Sequence, residues 1–272
     1  MLSTDLLAYY RQISLQPLTI VDVETTGMVA TTSRVIEVAV VQASLQDGIQ
    51  HQQTDLINPE VPVPPKITVI TGIDPEMVAT APRSPQIWPH YLSLLNTGIL
   101  TAHNLAFDYP FLQAEYHRLD TIFSRPEDEQ LCTVLLARQL LPDLRSRSLP
   151  DLVRHFGFNV GQSHRAAADA LACWLLAERL LTEIQTEADE SLLARFARQW
   201  IDLKAAATIL GCSTRQARSR LQHAQVQSRK TSTRYQRGGT VLYQRGGVEQ
   251  LFYQQQDKQK DEQDNDIQLS LL

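Results

Sequence analysis

Cysteine is scarce in this chain: Cys132, Cys173 and Cys212 are three in number and far apart. An odd, dispersed set excludes a disulfide framework and leaves no Cys/His cluster with zinc-site spacing. Long apolar runs are missing too, since no stretch approaches the ~18 residues that span a bilayer. The start, Met1 to Asp5, has neither the cationic residues nor the apolar run of a secretory signal. A reducing, cytoplasmic setting is therefore expected. In bulk the chain is ordinary. Of its 272 residues, 43% are apolar and 20% charged, enough for one well-packed domain and a smaller one.

Charge is unevenly spread. Arg195 to Gln250 carries eleven Lys/Arg against two acidic residues, a net of +9; the whole chain is −5, so the remainder carries −14. Such a split predicts a nucleic-acid-binding module attached to an acidic body.

Leu18 to Val23 is a short apolar run rich in β-branched residues and reads as a buried strand. Val35 to Leu45 is a second, and Asp47-Gly48 signals a hairpin into a third near His51–Leu56. Asn58 to Pro65 reads as loop. Helices are predicted over Gln86–Leu95, Phe107–Arg118, Thr133–Leu141, Leu149–Phe156 and Arg165–Glu183, with a short strand over Gly98–Ala102. Three antiparallel strands followed by alternating strands and helices argue for an α/β fold, a mixed sheet flanked by helices. The polar stretch Thr186–Ser191 marks a boundary, so the expected domains are 1–185, 195–252 and a tail, 253–272. Within that tail, Tyr253 to Asp266 is rich in Gln, Lys and Asp and is expected to lack structure.

Three motifs carry chemistry. In Val21-Asp22-Val23-Glu24-Thr25-Thr26-Gly27 the two acids are two apart on a strand, so both carboxylates leave one face. Two buried acids side by side repel each other, and a hard divalent cation such as Mg²⁺ or Mn²⁺ removes that penalty. Gly27 would let a backbone approach closely after the strand ends. Asp108, in Ala102-His103-Asn104-Leu105-Ala106-Phe107-Asp108, falls near a helix start, because Pro110 fits best in a first turn. His164 and Asp169 lie five apart in His164-Arg165-Ala166-Ala167-Ala168-Asp169, with His164 at a helix entrance and Asp169 one turn inside. Taken singly, the motifs read more readily as an exposed pair at a strand end, a helix cap at Asp108, and a loop histidine with a solvated helix acid.

Together, in this order, they resemble the DEDDh exonucleases of the DnaQ-like superfamily, which includes the proofreading subunit of the bacterial replicative polymerase. The resemblance covers Leu18 to Leu181 and includes Ser148-Leu149-Pro150-Asp151-Leu152; Cys132-Thr133 departs from the Asp that many relatives carry before the Thr. It implies a ribonuclease H-like fold and a 3′→5′ exonuclease with two divalent cations. Asp22 would bridge both ions, Glu24 and Asp169 would hold the first, and Asp108 would help hold the second. His164 would act as general base, for which an ordinary imidazole pKa near ~6.5 is suited. Thr25, Thr26, Gly27 and Asn104 would touch the nucleic acid.

Leu203 to Ser213 reads as helix, glycine turn and serine N-cap, with a second helix over Thr214–Leu221 presenting Arg215, Arg218 and Arg220. This resembles a helix-turn-helix of the excisionase or MerR type, with Thr231–Gln244 as its hairpin wing, and implies contact with duplex DNA. The end, Ile267-Gln268-Leu269-Ser270-Leu271-Leu272, resembles a bacterial sliding-clamp-binding peptide, with Gln268, Leu269, Leu271 and Leu272 as its anchors. The expected function is thus a metal-dependent exodeoxyribonuclease in proofreading or repair, partnered by DNA, a clamp and a polymerase. The alternatives are an exoribonuclease and a non-catalytic DNA-binding regulator or clamp adaptor.

Overall fold

The computed structural model describes the backbone of residues 1–231 and 239–270 and the side chains as far as residue 257. Its elements are, in order, α1 (Ser3–Ile13), β1 (Leu18–Thr25), β2 (Val35–Ser44), β3 (Gly48–Leu56), α2 (Pro65–Thr71), α3 (Pro75–Ala79), α4 (Ser84–Leu95), β4 (Ile99–Ala102), α5 (Leu105–His117), β5 (Gln130–Cys132), α6 (Thr133–Leu140), α7 (Leu149–Phe156) and α8 (Ala166–Thr186). There follow α9 (Asp189–Ala197), β6 (Trp200–Asp202), α10 (Leu203–Ile209), α11 (Thr214–His223), β7 (Ser228–Thr231), β8 (Thr240–Gln244) and α12 (Arg245–Ser270). The chain divides into two compact units, Tyr9–Arg138 with Leu144–Thr186, and Met1–Ala8 with Gln139–Asp143 and Glu187–Leu272. The N-terminal and mid-chain pieces of the smaller unit carry no boundary signal in the sequence.

The larger unit is built on a five-stranded mixed sheet of order β3-β2-β1-β4-β5. β1 runs antiparallel to β2 and parallel to β4, and β4 is parallel to β5. Central strands are apolar on both sides, as buried strands must be, while the edge strand β3 (Gly48–Leu56) is mostly polar and exposed. Val21 and Val23 enter a core with Trp88, Tyr91, Phe111 and Tyr116 from α4 and α5. Asp22 and Glu24 therefore leave by the opposite face, where α8 packs across β1 and β2.

Two expectations for these elements need correction. Helix α5 starts at Leu105, not near Phe107, and Pro110 lies inside it. Proline is tolerated there because Pro110 and Ala106 are both exposed, so water can satisfy the Ala106 carbonyl that the missing N–H leaves. Helix α1 is an addition to the expected elements, although Leu7, Tyr10 and Ile13, all buried, recur at helical spacing.

The smaller unit packs α10, α11 and α12 against a three-stranded sheet of order β6-β8-β7. Asp202 caps α10 by accepting from the Ala205 N–H (2.8 Å), and Ser213 caps α11 in a reciprocal box with Gln216. Gly211 makes the turn between them at φ 59°, a left-handed conformation that glycine adopts without strain. β7 and β8 pair antiparallel; the hairpin tip, 232–238, lies outside the described residues.

The tail departs most from expectation. Residues 253–270 continue α12 instead of lacking structure. The helix is nucleated where Val248, Leu251 and Phe252 enter the core and Arg245 pairs with Glu249. Once that cost is met, Gln, Lys and Glu extend a helix one hydrogen bond at a time without needing a core. Of the clamp-type residues, Gln268 and Leu269 are described in backbone only, and Leu271 and Leu272 lie outside the described residues.

Candidate active site

Strand β1 carries Asp22 and Glu24 to the sheet's α8 face, both half-buried. Asp108 sits in the first turn of α5, only 3% exposed, and its Oδ1 accepts from the Val23 N–H at 3.2 Å. That bond ties the start of α5 to the strand between the two β1 acids. His164 precedes α8 with φ 62°, a left-handed turn that directs its backbone N–H onto Asp169 Oδ2 at 3.0 Å. The result answers the five-residue spacing: His164 is outside the helix and turned back over Asp169. Carboxylate and imidazole atoms of Glu24, Asp169 and His164 lie within 4.8 Å of one another.

Burial and mutual repulsion dominate the electrostatics. Burial, then the charges of Asp108, Asp169 and Glu24, push Asp22 well above the usual carboxylate range. Glu24 is pushed up to about 8 by burial, then by Asp169 and Glu37. Burial raises Asp108 to about 7 despite the Val23 hydrogen bond, and raises Asp169 despite the His164 N–H. Four carboxylates held this way resist ionising together. A divalent cation among them would restore their charged forms, and hard oxygen donors with one imidazole suit such an ion.

Two supports go beyond the motifs. Glu37 of β2 stands opposite Glu24 and is almost wholly buried. It receives Arg165 Nε at 3.1 Å and the Ala166 N–H at 2.8 Å, which anchors the entrance of α8 to the sheet. Its signal in the sequence is an acid inside the apolar run Val35–Val41, since a buried carboxylate requires a partner. The second is Glu115, buried on α5, which accepts from Arg34 Nε, Arg118 Nη1 and Ser84 Oγ. Arg118 also donates to the Ala30 and Ser33 carbonyls, pinning the loop after β1.

That loop holds the Thr25-Thr26-Gly27 segment. Thr25 ends β1 and donates to the Gly27 carbonyl at 2.6 Å, while Thr26 Oγ1 accepts from the Arg34 N–H at 2.9 Å. A Cβ on Gly27 would come within 2.7 Å of Ser33 Oγ, so a larger residue there requires the Ser33 hydroxyl to turn aside. Asn104 is exposed at the entrance to α5, with φ 78°. The structure thus brings Asp22, Glu24, Asp108, His164 and Asp169 together in the larger unit. Arg215, Arg218 and Arg220 belong to the smaller unit, all exposed on α11. They do not share a face: Arg215 is opposite the buried Ala217, whereas Arg220 flanks the core and donates to Gln255 at 3.0 Å.

Residues 19–176 match the RNase_T family, described as Exonuclease. Over 152 residues the chain is 34% identical to the DNA polymerase III PolC-type of Clostridium perfringens, covering 56% of this chain and 10% of that polymerase. The match thus spans only about a tenth of that relative. Over 168 residues it is 29% identical to the DNA polymerase III subunit epsilon of Aquifex aeolicus, covering 61% of this chain and 80% of that subunit. In fold it is similar to E. coli Exonuclease I crystallised with a dT13 oligonucleotide (TM-score 0.56, 19% identity, 61% of this chain and 41% of that one). One crystal structure of E. coli Exonuclease I with single-stranded DNA is of a zinc-ion-bound form (TM-score 0.55, 20% identity). This chain belongs to the RNase_T exonuclease family, and its larger unit is a nuclease domain of the DnaQ-like, ribonuclease H-like type.

Proposed function

We propose that the protein is a 3′→5′ exodeoxyribonuclease that uses Mg²⁺ or Mn²⁺ and releases nucleoside 5′-monophosphates in proofreading or repair. The observation that carries this reading is the convergence of Glu24, His164 and Asp169 within 4.8 Å, beside the half-buried Asp22 and the buried Asp108. Asp22, Glu24, Asp108 and Asp169 would hold the metal. Bound divalent ions would offset the charge of the carboxylates and the scissile phosphate and supply Lewis acidity. His164, exposed at the α8 entrance, takes the proton from the attacking water. The water oxygen bonds to phosphorus, the P–O3′ bond breaks, and the departing 3′ oxygen recovers a proton. The Asp169–His164 N–H bond keeps base and carboxylate in register throughout. Thr25, Thr26, Gly27 and Asn104 border the terminal nucleotide.

The test follows 5′-labelled single-stranded DNA and its RNA equivalent with Mg²⁺, Mn²⁺ or EDTA. A ladder shortening from the DNA 3′ end, abolished by EDTA, is expected. Faster loss of RNA would move the reading to RNA processing, and no turnover of either would favour a DNA-binding regulator.

The basic module favours DNA. Arg215 projects from α11 opposite the buried Ala217, and Arg218 follows it one turn on along the neighbouring side, where a groove could receive both. Replacing both by Ala should weaken duplex binding and flatten its salt dependence by about 0.9 for each phosphate no longer neutralised. Replacing Arg220, which bonds Gln255, should do little. Equal effects at all three positions would refute this docking.

A further inference from the structure

His103 sits beside the site and does no evident chemistry. Its Nε2 lies 3.0 Å from the Arg147 carbonyl and its Nδ1 lies 2.9 Å from Thr133 Oγ1. Burial lowers its pKa to about 4, so the ring is neutral at physiological pH. A carbonyl can only accept, so Nε2 carries the proton and Nδ1 accepts from Thr133. His103 therefore fastens the segment before α7 to the entrance of α5.

The fastened segment lines a cleft of about 470 Å³ bordered by Asn104, Arg138, Arg145, Arg147 and Ser148, with no acid among its lining residues. Arg138 and Arg145 are exposed, and among the described residues neither forms an ion pair. Outside Arg195–Gln250 the chain is net −14, so the exposed pair Arg138 and Arg145 in a cleft lined by no acid is a local reversal of sign. Guanidinium groups fit phosphate oxygens in two-pronged hydrogen bonds. Asn104 opens α5 four residues before Asp108, about 6 Å along the helix axis. The cleft thus borders, through Asn104, the start of the helix that carries Asp108.

We propose that this arginine cleft holds the phosphodiester backbone of the substrate strand upstream of the nucleotide being removed. It rests on the nuclease reading and adds to it a track that favours long strands over short ones. Contacts there are to phosphate, so they carry no sequence information.

The test compares wild type with Arg138→Ala/Arg145→Ala on a dinucleotide and on a strand of about 20 nucleotides. Only the long strand reaches the cleft. Its advantage in kcat/KM over the dinucleotide should fall by about tenfold in the variant. An advantage that persists, including one seen with parallel losses on both substrates, overturns the proposal. In an Asp22→Ala background, anisotropy of labelled single-stranded DNA reads binding without turnover. There the slope of log affinity against log salt should shrink by about 1.4, or about 0.7 for each phosphate no longer neutralised. If wild type hydrolyses neither strand, the nuclease reading fails and binding alone decides: a reduced slope keeps the cleft, an unchanged slope removes it.

Discussion

Asp22→Asn is expected to slow 3′-end hydrolysis by at least ~10³-fold, about 4 kcal/mol of transition-state stabilisation. Asp22 feels the charges of Asp108, Asp169, Glu24 and Glu37, so it stands at the electrostatic centre of the cluster. An amide keeps its shape but supplies no charge to a cation, and it leaves Asp108 and Glu24 as poor substitutes on either side. The defect should appear in kcat and in the Mg²⁺ concentration needed for half-activity. Affinity of the metal-free protein for the strand should change far less. Single-turnover digestion over a Mg²⁺ titration reads both quantities, and residual activity within tenfold of wild type would end the proposed role.

The metal-free protein is expected to become less stable as pH rises from about 6 to 9, the reverse of ordinary acid denaturation. Unfolded carboxyls lose their protons near pH ~4. In the folded chain Asp108 retains its proton to about 7 and Glu24 to about 8, because burial and neighbouring acids resist the charged forms. The native state therefore binds more protons than the unfolded state from about pH 4 up to about 8. Their contribution is fully present below the unfolded pKa and is lost as pH rises through the folded one. Each retained proton makes stability fall by about 1.4 kcal/mol per pH unit. With more than one group involved, the unfolding midpoint should drop by on the order of 10 °C. Saturating Mg²⁺ or Mn²⁺ takes the place of those protons and should flatten or invert the slope. Calorimetry in EDTA and in Mg²⁺ at pH 6, 7.5 and 9 makes the comparison; a flat EDTA series would sink it.

Much of this is legible in the residues because short periodicities report local geometry. Asp22 and Glu24 follow from a period of two on an apolar strand, and α7 (Leu149–Phe156) occupies the span its pattern predicts. What escapes such a reading depends on contacts between distant segments. Nothing local couples Glu37 to Arg165, which lie 128 residues apart in the chain. The start of α5 is expected two residues late because proline alone does not reveal that its face of the helix is exposed. The polar half of α12 misleads for a related reason. Composition shows whether a segment can build a core, and α12 needs only a nucleus supplied by residues before it.

The five residues proposed for catalysis are also separated in a way that bears on when activity can arise. Asp22 lies on the first strand of the sheet, and His164 and Asp169 lie at the opening of the last helix of the larger unit. A chain emerging from the ribosome has its first two acids long before it has a base or the final ligand. Bringing them together requires closure of nearly the whole domain, with the entropy that such long-range contacts demand. A nascent chain, or one cut within the larger unit, should therefore fail to hydrolyse nucleic acid, and completion of folding serves as the activating step.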